Sequence, residues 1–249
     1  MIRIAAVGDL HFDPDAAGTV RPRLEHLGER ADVFLVAGDL TRLGEPHEAK
    51  VLAQELEGLP VPVVAVLGNH DYHADREDQV REVVEQGGIT VLDGESTVLD
   101  VDGTRVGIAG MKGFGGGFAG ASATDFGEPE MKAFVRHTIE VAGKLERVLR
   151  DLDADVRVVL LHYSPVAETL RGEPPEIHAF LGSYYLAEAI DRAGADLVIH
   201  GHAHRGSERG ATPGGVPVRN VALPVIQRAY AVYEVAGRRA GDPDAAVGA

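Results

Sequence analysis

The residues that could do chemistry fall in five short blocks: Asp9-Leu10-His11, Gly38-Asp39, Gly68-Asn69-His70-Asp71, Leu161-His162 and Gly201-His202-Ala203-His204. Asp9, His11, Asp39, Asn69, His162, His202 and His204 offer oxygen and nitrogen donors, and His70 is left over. Mixed nitrogen and oxygen donors suit Mn, Fe, Zn or Co better than Mg or Ca. Seven donors exceed what one such ion needs, whereas a pair of ions sharing a carboxylate needs about that many. Spacing supports convergence: residues two apart in an extended segment point to one face roughly 7 Å apart, so Asp9 can meet His11 and His202 can meet His204. Glycine precedes the donor in four blocks, as Gly8, Gly38, Gly68 and Gly201, which leaves room beside a ligand or ion.

Each block also has a plain structural reading. Asp39 can cap a helix or turn, Asn69 can make an Asx turn, and His162 can be a hydrogen-bonded core histidine. His200, His202 and His204 can face solvent in a turn. For His200, which precedes the last block, a core or supporting role is the expected one.

The elements that would position these blocks alternate. Apolar runs at 2–7, 33–37 and 61–67 read as strands, and 22–30, 45–56 and 76–86 carry helical patterns. Strand–helix alternation predicts right-handed βαβ units and a largely parallel α/β core. Donor blocks at strand ends fit that class, in which sites form outside the carboxyl ends of strands. Segments 97–101 and 105–109 flank Asp102-Gly103, a hairpin signal. A helix is expected over 129–152, strands over 156–161 and 197–200, a helix over 184–193, and antiparallel strands over 216–222 and 229–235. The glycine-rich stretch 113–120, bearing Phe114 and Phe118, reads as mobile. Segment 165–182, with Pro174-Pro175 and His178, reads as a long loop. Both are candidate lids that would set specificity. Tyr72, His73 and Tyr163 adjoin donor residues and are placed either to touch a substrate or simply to pack. Neither a linker nor a repeat is visible, so a single domain over 1–236 is expected, followed by a flexible tail over 237–249.

Composition narrows the function. Lysine plus arginine is 24 and aspartate plus glutamate 39 in 249 residues, a formal net charge of −15. That balance argues against a general binder of long nucleic acid or anionic membrane, which needs basic surface to replace counterions. A small anionic substrate is still compatible, because bound cations reverse the charge locally. With no cysteine there are no disulfides, thiolate metal sites or cysteine nucleophiles. The chain opens directly on a strand, without a signal-like stretch or an apolar run long enough to span a bilayer, so a cytoplasmic location is expected.

The blocks, in their order, resemble the calcineurin-like metallophosphoesterases, whose pattern is D-x-H, G-D, G-N-H-D/E, a lone H and G-H-x-H. All five are present between residues 9 and 204. The resemblance implies a four-layer αββα sandwich of two mixed sheets flanked by helices. It also implies two divalent or mixed-valence metal ions, with Asp9, His11 and His204 on the first, Asn69, His162 and His202 on the second, and Asp39 bridging. A hydroxide between the ions would attack a phosphate ester bound across both, and His70 would assist the leaving group. Protein Ser/Thr phosphatases of this superfamily carry Asp-Arg-Gly after the second block; here Leu40-Thr41-Arg42-Leu43-Gly44 follows Asp39. The chain is more similar to small bacterial phosphoesterases that include relatives of cyclic-nucleotide phosphodiesterases. A phosphodiesterase is therefore expected ahead of a phosphomonoesterase. Two rivals remain: a non-catalytic metal-binding scaffold, which usually betrays itself by missing donors, and a nuclease, which the charge disfavours.

Overall fold

A computed structural model describes residues 1–236; the expected tail over 237–249 lies outside the described residues. The strands are β1 (Ile2–Val7), β2 (Val33–Ala37), β3 (Val63–Val66), β4 (Thr90–Val91), β5 (Glu95–Val101), β6 (Thr104–Met111), β7 (Gly117–Phe118), β8 (Ala121–Ser122), β9 (Val156–Leu161), β10 (Leu197–His200), β11 (Arg209–Ala211), β12 (Pro217–Asn220) and β13 (Ala231–Val235). The helices are α1 (Leu27–Arg30), α2 (Pro46–Leu56), α3 (Glu77–Gln86), α4 (Pro129–Asp151), α5 (His178–Leu181), α6 (Tyr184–Ala193) and α7 (Leu223–Ile226).

Two large sheets result, ordered β13-β1-β2-β3-β4 and β11-β12-β10-β9-β6-β5. Within the first, β1 to β4 run parallel and β13 is antiparallel. Within the second, β12, β10, β9 and β6 run parallel and the two edge strands are antiparallel. Alternation along the strands explains the layering. On β9, Val156, Val158 and Leu160 enter the main core together with Val33, Leu35 and Val64 of the first sheet. Val159 and Leu161, one residue out of phase, pack instead with Leu145 and Leu149 of α4 and Ile190 of α6. On the far side of the first sheet, Leu52 of α2 and Val80 and Val84 of α3 close the core. The layers are thus helix, sheet, sheet, helix, the four-layer sandwich expected. No helix among the described residues is long and apolar enough to cross a membrane.

Several local expectations need correction. Segment 22–30 is not one helix. A turn of 3-10 helix at Arg21–Leu24 is separated from α1, because Leu24 and Leu27 are both buried while His26 between them leaves helical geometry at ψ 17°. Segment 165–182 is not bare loop: it holds short helical turns at Ala167–Leu170 and Pro175–Ile177, then α5. The strands expected over 216–222 and 229–235 do not pair with each other. β12 lies parallel to β10 and antiparallel to β11, whereas β13 crosses to the other sheet and runs antiparallel to β1. In 113–120, Gly113, Gly115, Gly116 and Gly117 are buried and packed, whereas Gly120 at the end of the stretch is exposed.

Candidate metal centre

Strand ends at one edge of the sandwich bring the blocks together. Asp9 and His11 follow β1, Asp39 follows β2, Asn69 and His70 follow β3, His162 follows β9, and His202 and His204 follow β10. Donor atoms of Asp9, His11, Asp39 and His204 all lie within 4.8 Å of one another, as do those of Asp39, His162 and His202. Asp39 belongs to both groups. Asn69 joins the second, its Oδ1 standing 2.9 Å from His162 Nε2.

The backbone is bent to achieve this. Among the described residues, positive φ at a non-glycine position occurs at Asp9 (59°), His11 (46°), Asp39 (49°) and His202 (70°), all donors, and otherwise only at Asp75, Asp102 and Gln227. Such conformations persist where surrounding structure holds them, and they cluster at functional sites. Two glycines show the crowding. A Cβ on Gly68 would sit 2.1 Å from Asp39 Oδ1, and one on Gly38, itself at φ +81°, would sit 2.5 Å from the His162 ring.

Hydrogen bonds fix which donor atoms are free. His162 Nδ1 donates to the Ala37 carbonyl at 2.9 Å, since a carbonyl only accepts, so its Nε2 lone pair faces Asn69 Oδ1 and, at 3.3 Å, Asp39 Oδ1. His202 Nε2 donates to the Phe180 carbonyl at 3.1 Å, leaving Nδ1 free. His204 Nε2 lies 2.9 Å from Asp9 Oδ1, and the His202 amide donates to both Asp9 oxygens at 3.0 Å. His11 Nε2 is buried without any hydrogen-bond partner.

Burial sets the charge state of the metal-free site. Desolvation pushes His162 and His202 down to about 3 and His11 to about 4, so these imidazoles are neutral and their lone pairs available. The same effect pushes Asp9 up to about 6, against the His204 hydrogen bond that holds it down. That bond raises His204. Neutral imidazole nitrogens, carboxylates and one amide oxygen converging around an orphaned buried nitrogen fit divalent cations of the Mn, Fe or Zn type.

His70 is the exception that the motif order implies. Its Nδ1 donates to the Arg42 carbonyl at 2.8 Å, and its ring meets the His11 ring edge-on at 4.5 Å between centroids. His70 has no place in either donor group. His200 is a satisfied core histidine, with Nδ1 on the Gly201 carbonyl and Nε2 on Thr169 Oγ1 at 2.8 Å. It falls one residue out of phase with Leu197 and Ile199, which face the other sheet. The Tyr163 ring is tilted against that of His202 at 4.5 Å between centroids, Tyr72 underlies Lys112, and His73 is exposed. Of the two loops singled out, 165–182 reaches the centre through the Phe180 carbonyl.

Supporting residues escaped the sequence reading. The buried Asp71 carboxylate accepts from the amides of Gly68, Leu40 and Thr41 and from the Thr41 hydroxyl, tying the third block to the second. Burial pushes it up to about 6, against those same donors. Its place in the third block was the available signal. Buried Asn220 clamps the last block by donating to the Ala203 carbonyl and accepting from the Ala222 amide. Nothing local marks it.

The chain and its fold are similar to known proteins. A stretch of 97 residues is 32% identical to the glycerophosphodiester phosphodiesterase GpdQ of Enterobacter lignolyticus, covering 34% of this chain and 35% of that protein. The chain thus matches about a third of the length of that curated relative. The phosphopantetheinyl hydrolase PptH of Mycobacterium tuberculosis superposes with a TM-score of 0.67 at 18% identity, over 98% of both chains. The NAD nucleotidase NadN of Haemophilus influenzae gives 0.54 at 14% identity, over 94% of this chain and 49% of that one. Residues 2–206 match the calcineurin-like phosphoesterase family, and the chain belongs to that family of phosphate-ester hydrolases.

Proposed function

We propose that the chain is a dinuclear metal-dependent phosphoesterase that prefers diesters to monoesters. The observation that carries this reading is the sharing of Asp39 between two donor groups that otherwise have no member in common. Asp9, His11, Asp39 and His204 would hold one ion; Asp39, Asn69, His162 and His202 would hold the other. Two divalent ions bound there supply positive charge for phosphoryl oxygens and water activated at neutral pH. Mn, Fe and Zn suit the donor set.

The chain's own residues account for the rest. Neutral His162 and His202 bring no positive charge of their own, so the carboxylates of Asp9 and Asp39 set the charge of the centre. The Ala37 and Phe180 carbonyls hold those two rings by their far nitrogens, which fixes where the free lone pairs point. His70, its Nδ1 held by the Arg42 carbonyl, would turn Nε2 to the leaving oxygen and assist its departure by a hydrogen bond or proton as the ester bond breaks. A diester is favoured by the likeness to a glycerophosphodiester phosphodiesterase over a third of the chain. Small phosphate esters are the substrate class, in keeping with a neighbour that is a nucleotidase.

The test is hydrolysis by metal-stripped protein reloaded with Mn²⁺, comparing bis-p-nitrophenyl phosphate with p-nitrophenyl phosphate. Faster diester cleavage is expected. Faster monoester cleavage moves the assignment to a phosphatase, and no cleavage of either by protein carrying two ions favours a scaffold.

A further inference from the structure

Beside the candidate metal centre, the ammonium of Lys112 rests on an aromatic face and has no carboxylate or carbonyl partner among the described residues. Inter-sheet positions run Val106 and Ile108 on β6 and Val156, Val158 and Leu160 on β9. Ile108 pairs with Val158 and Gly110 with Leu160, and a Cβ on Gly110 would meet Leu92 and Val66 across the interface. The next inter-sheet position on β9 is His162, and on β6 it is Lys112. The Lys112 carbonyl accepts from the His162 and Tyr163 amides at 3.0 Å each, so both residues leave one ledge. From there the lysine reaches toward the first sheet, its ammonium 3.9 Å from the centroid of the Tyr72 ring, two residues beyond His70.

Lys112 is half-buried, and among the described residues its ammonium meets no carboxylate or carbonyl acceptor, only the Tyr72 face and, farther off, Phe114. The carboxylates whose charge reaches it are Asp93, Glu77, Asp39 and Asp71, two of them at the metal centre. A cavity of about 460 Å³ opens at this point, lined by Tyr72, Asp93, Lys112, His137, Lys144 and Arg147 among others. His137, Lys144 and Arg147 lie along one stripe of α4 at helical spacing. Glu140 shares that stripe. Elsewhere several arginines are paired with carboxylates, as Arg81 is with Glu85 and Glu95 and Arg192 with Glu146 and Glu188. Arg147, like Lys112, has no carboxylate partner among the described residues. Lys144 donates to the Asp93 carbonyl, but Lys112 and Arg147, two cations without a carboxylate partner at one cavity in a chain of net charge −15, point to an anion from outside. A charge-assisted hydrogen bond to such an anion exceeds what a ring face offers the ammonium.

We propose that this cavity is an anion subsite and Lys112 its specificity-determining residue, taking a second negative group, phosphate or carboxylate, carried by the ester outside the bond that is cleaved. This rests on the phosphoesterase reading. The preferred substrates are then phosphate esters with two separated anionic groups, and uncharged analogues are the poor ones.

The test uses Mn²⁺-loaded protein and p-nitrophenyl alkyl phosphates whose alkyl tether, short, medium or long, ends in a carboxylate, a phosphonate or an uncharged carboxamide. At the fitting length, wild-type kcat/KM for an anionic terminus should exceed that for the amide by about tenfold. Which anion gains more identifies the group. Lys112→Met, which keeps the stem on Tyr72, should bring the ratio to near one. Lys112→Arg should restore part of it, and Lys50→Ala, an exposed control on α2, should leave it intact. A wild-type ratio near one at every length, or a ratio that survives Lys112→Met, overturns the proposal. If no compound is turned over, the diester preference fails, and calorimetric binding of the same compounds decides the subsite. Tighter binding of the anionic forms that Lys112→Met abolishes upholds it, and equal binding of anionic and amide forms overturns it.

Discussion

The two sheets contribute to the candidate metal centre in different ways. The ends of β1, β2 and β3 carry the candidate oxygen donors, Asp9, Asp39 and Asn69, together with His11 and with His70, which lies outside both donor groups. The ends of β9 and β10 supply only imidazoles, His162, His202 and His204. Backbone strain divides similarly: Asp9, His11 and Asp39 have positive φ on the first sheet, and His202 alone does on the second. The first sheet therefore provides charge at the cost of strain, and the second provides imidazoles, two of them, His162 and His202, held neutral and oriented by carbonyls. The difference teaches that the anionic character of the site, and its sensitivity to perturbation, reside in the first sheet's loops.

The sharpest way to break this comparison is to remove one donor from each side. Asp39→Ala should lose both ions, with a rate loss on the order of 10³-fold or more. His202→Ala should lose only the ion of its own group. Metal content per chain checks both, and retention of two ions by Asp39→Ala would show that the two groups do not depend on that carboxylate. Next in size is His70→Ala. It should keep both ions while losing about 10²- to 10⁴-fold in turnover on esters with alkyl leaving groups. The loss should be smaller on p-nitrophenyl esters, whose leaving oxygen needs no proton. Wild-type turnover on the alkyl esters would end the assigned role.

Gly68→Ala removes no donor at all. Its Cβ would meet Asp39 Oδ1 at 2.1 Å, so the shared carboxylate must shift, and activity should fall on the order of 10²-fold. An unchanged rate would mean that the second and third blocks are more yielding than the packing implies.

The smallest expected effect is an asymmetry with pH. Metal binding requires unprotonated donors. In the metal-free protein Asp9 is pushed up to about 6 and its partner His204 is also raised, whereas His162 and His202 are held at about 3. Protons therefore compete for the Asp9 group first as pH falls through about 6. Titration with Mn²⁺ at pH 5 should show one site weakened more than the other, and equal weakening would contradict the assignment of donors to groups.

Much of this was legible in the sequence because the blocks are local. Asp9-Leu10-His11 and His202-Ala203-His204 lie within one turn, and their glycines announce crowding that the structure locates at particular atoms. The parallel strands before them were equally visible as short buried runs. What escaped was set by tertiary register. β12 and β13 look alike as sequence, but they end in different sheets because one follows β10 and the other completes β1. Asn220 and Lys112 act through partners about 17 and 40 or more residues away, beyond any local spacing rule. Asp71 was read as part of a motif, and its Gly68 donor is local, but the three donors from Leu40 and Thr41 reach it only through the fold.

The central claim is that two ions share Asp39. Anomalous-difference diffraction from Mn²⁺-loaded crystals tests it most directly. Two peaks are predicted, one on each side of the Asp39 carboxylate, with His204 against one and His162 against the other. A single peak, or a pair of which either lies out of reach of Asp39, would contradict the account.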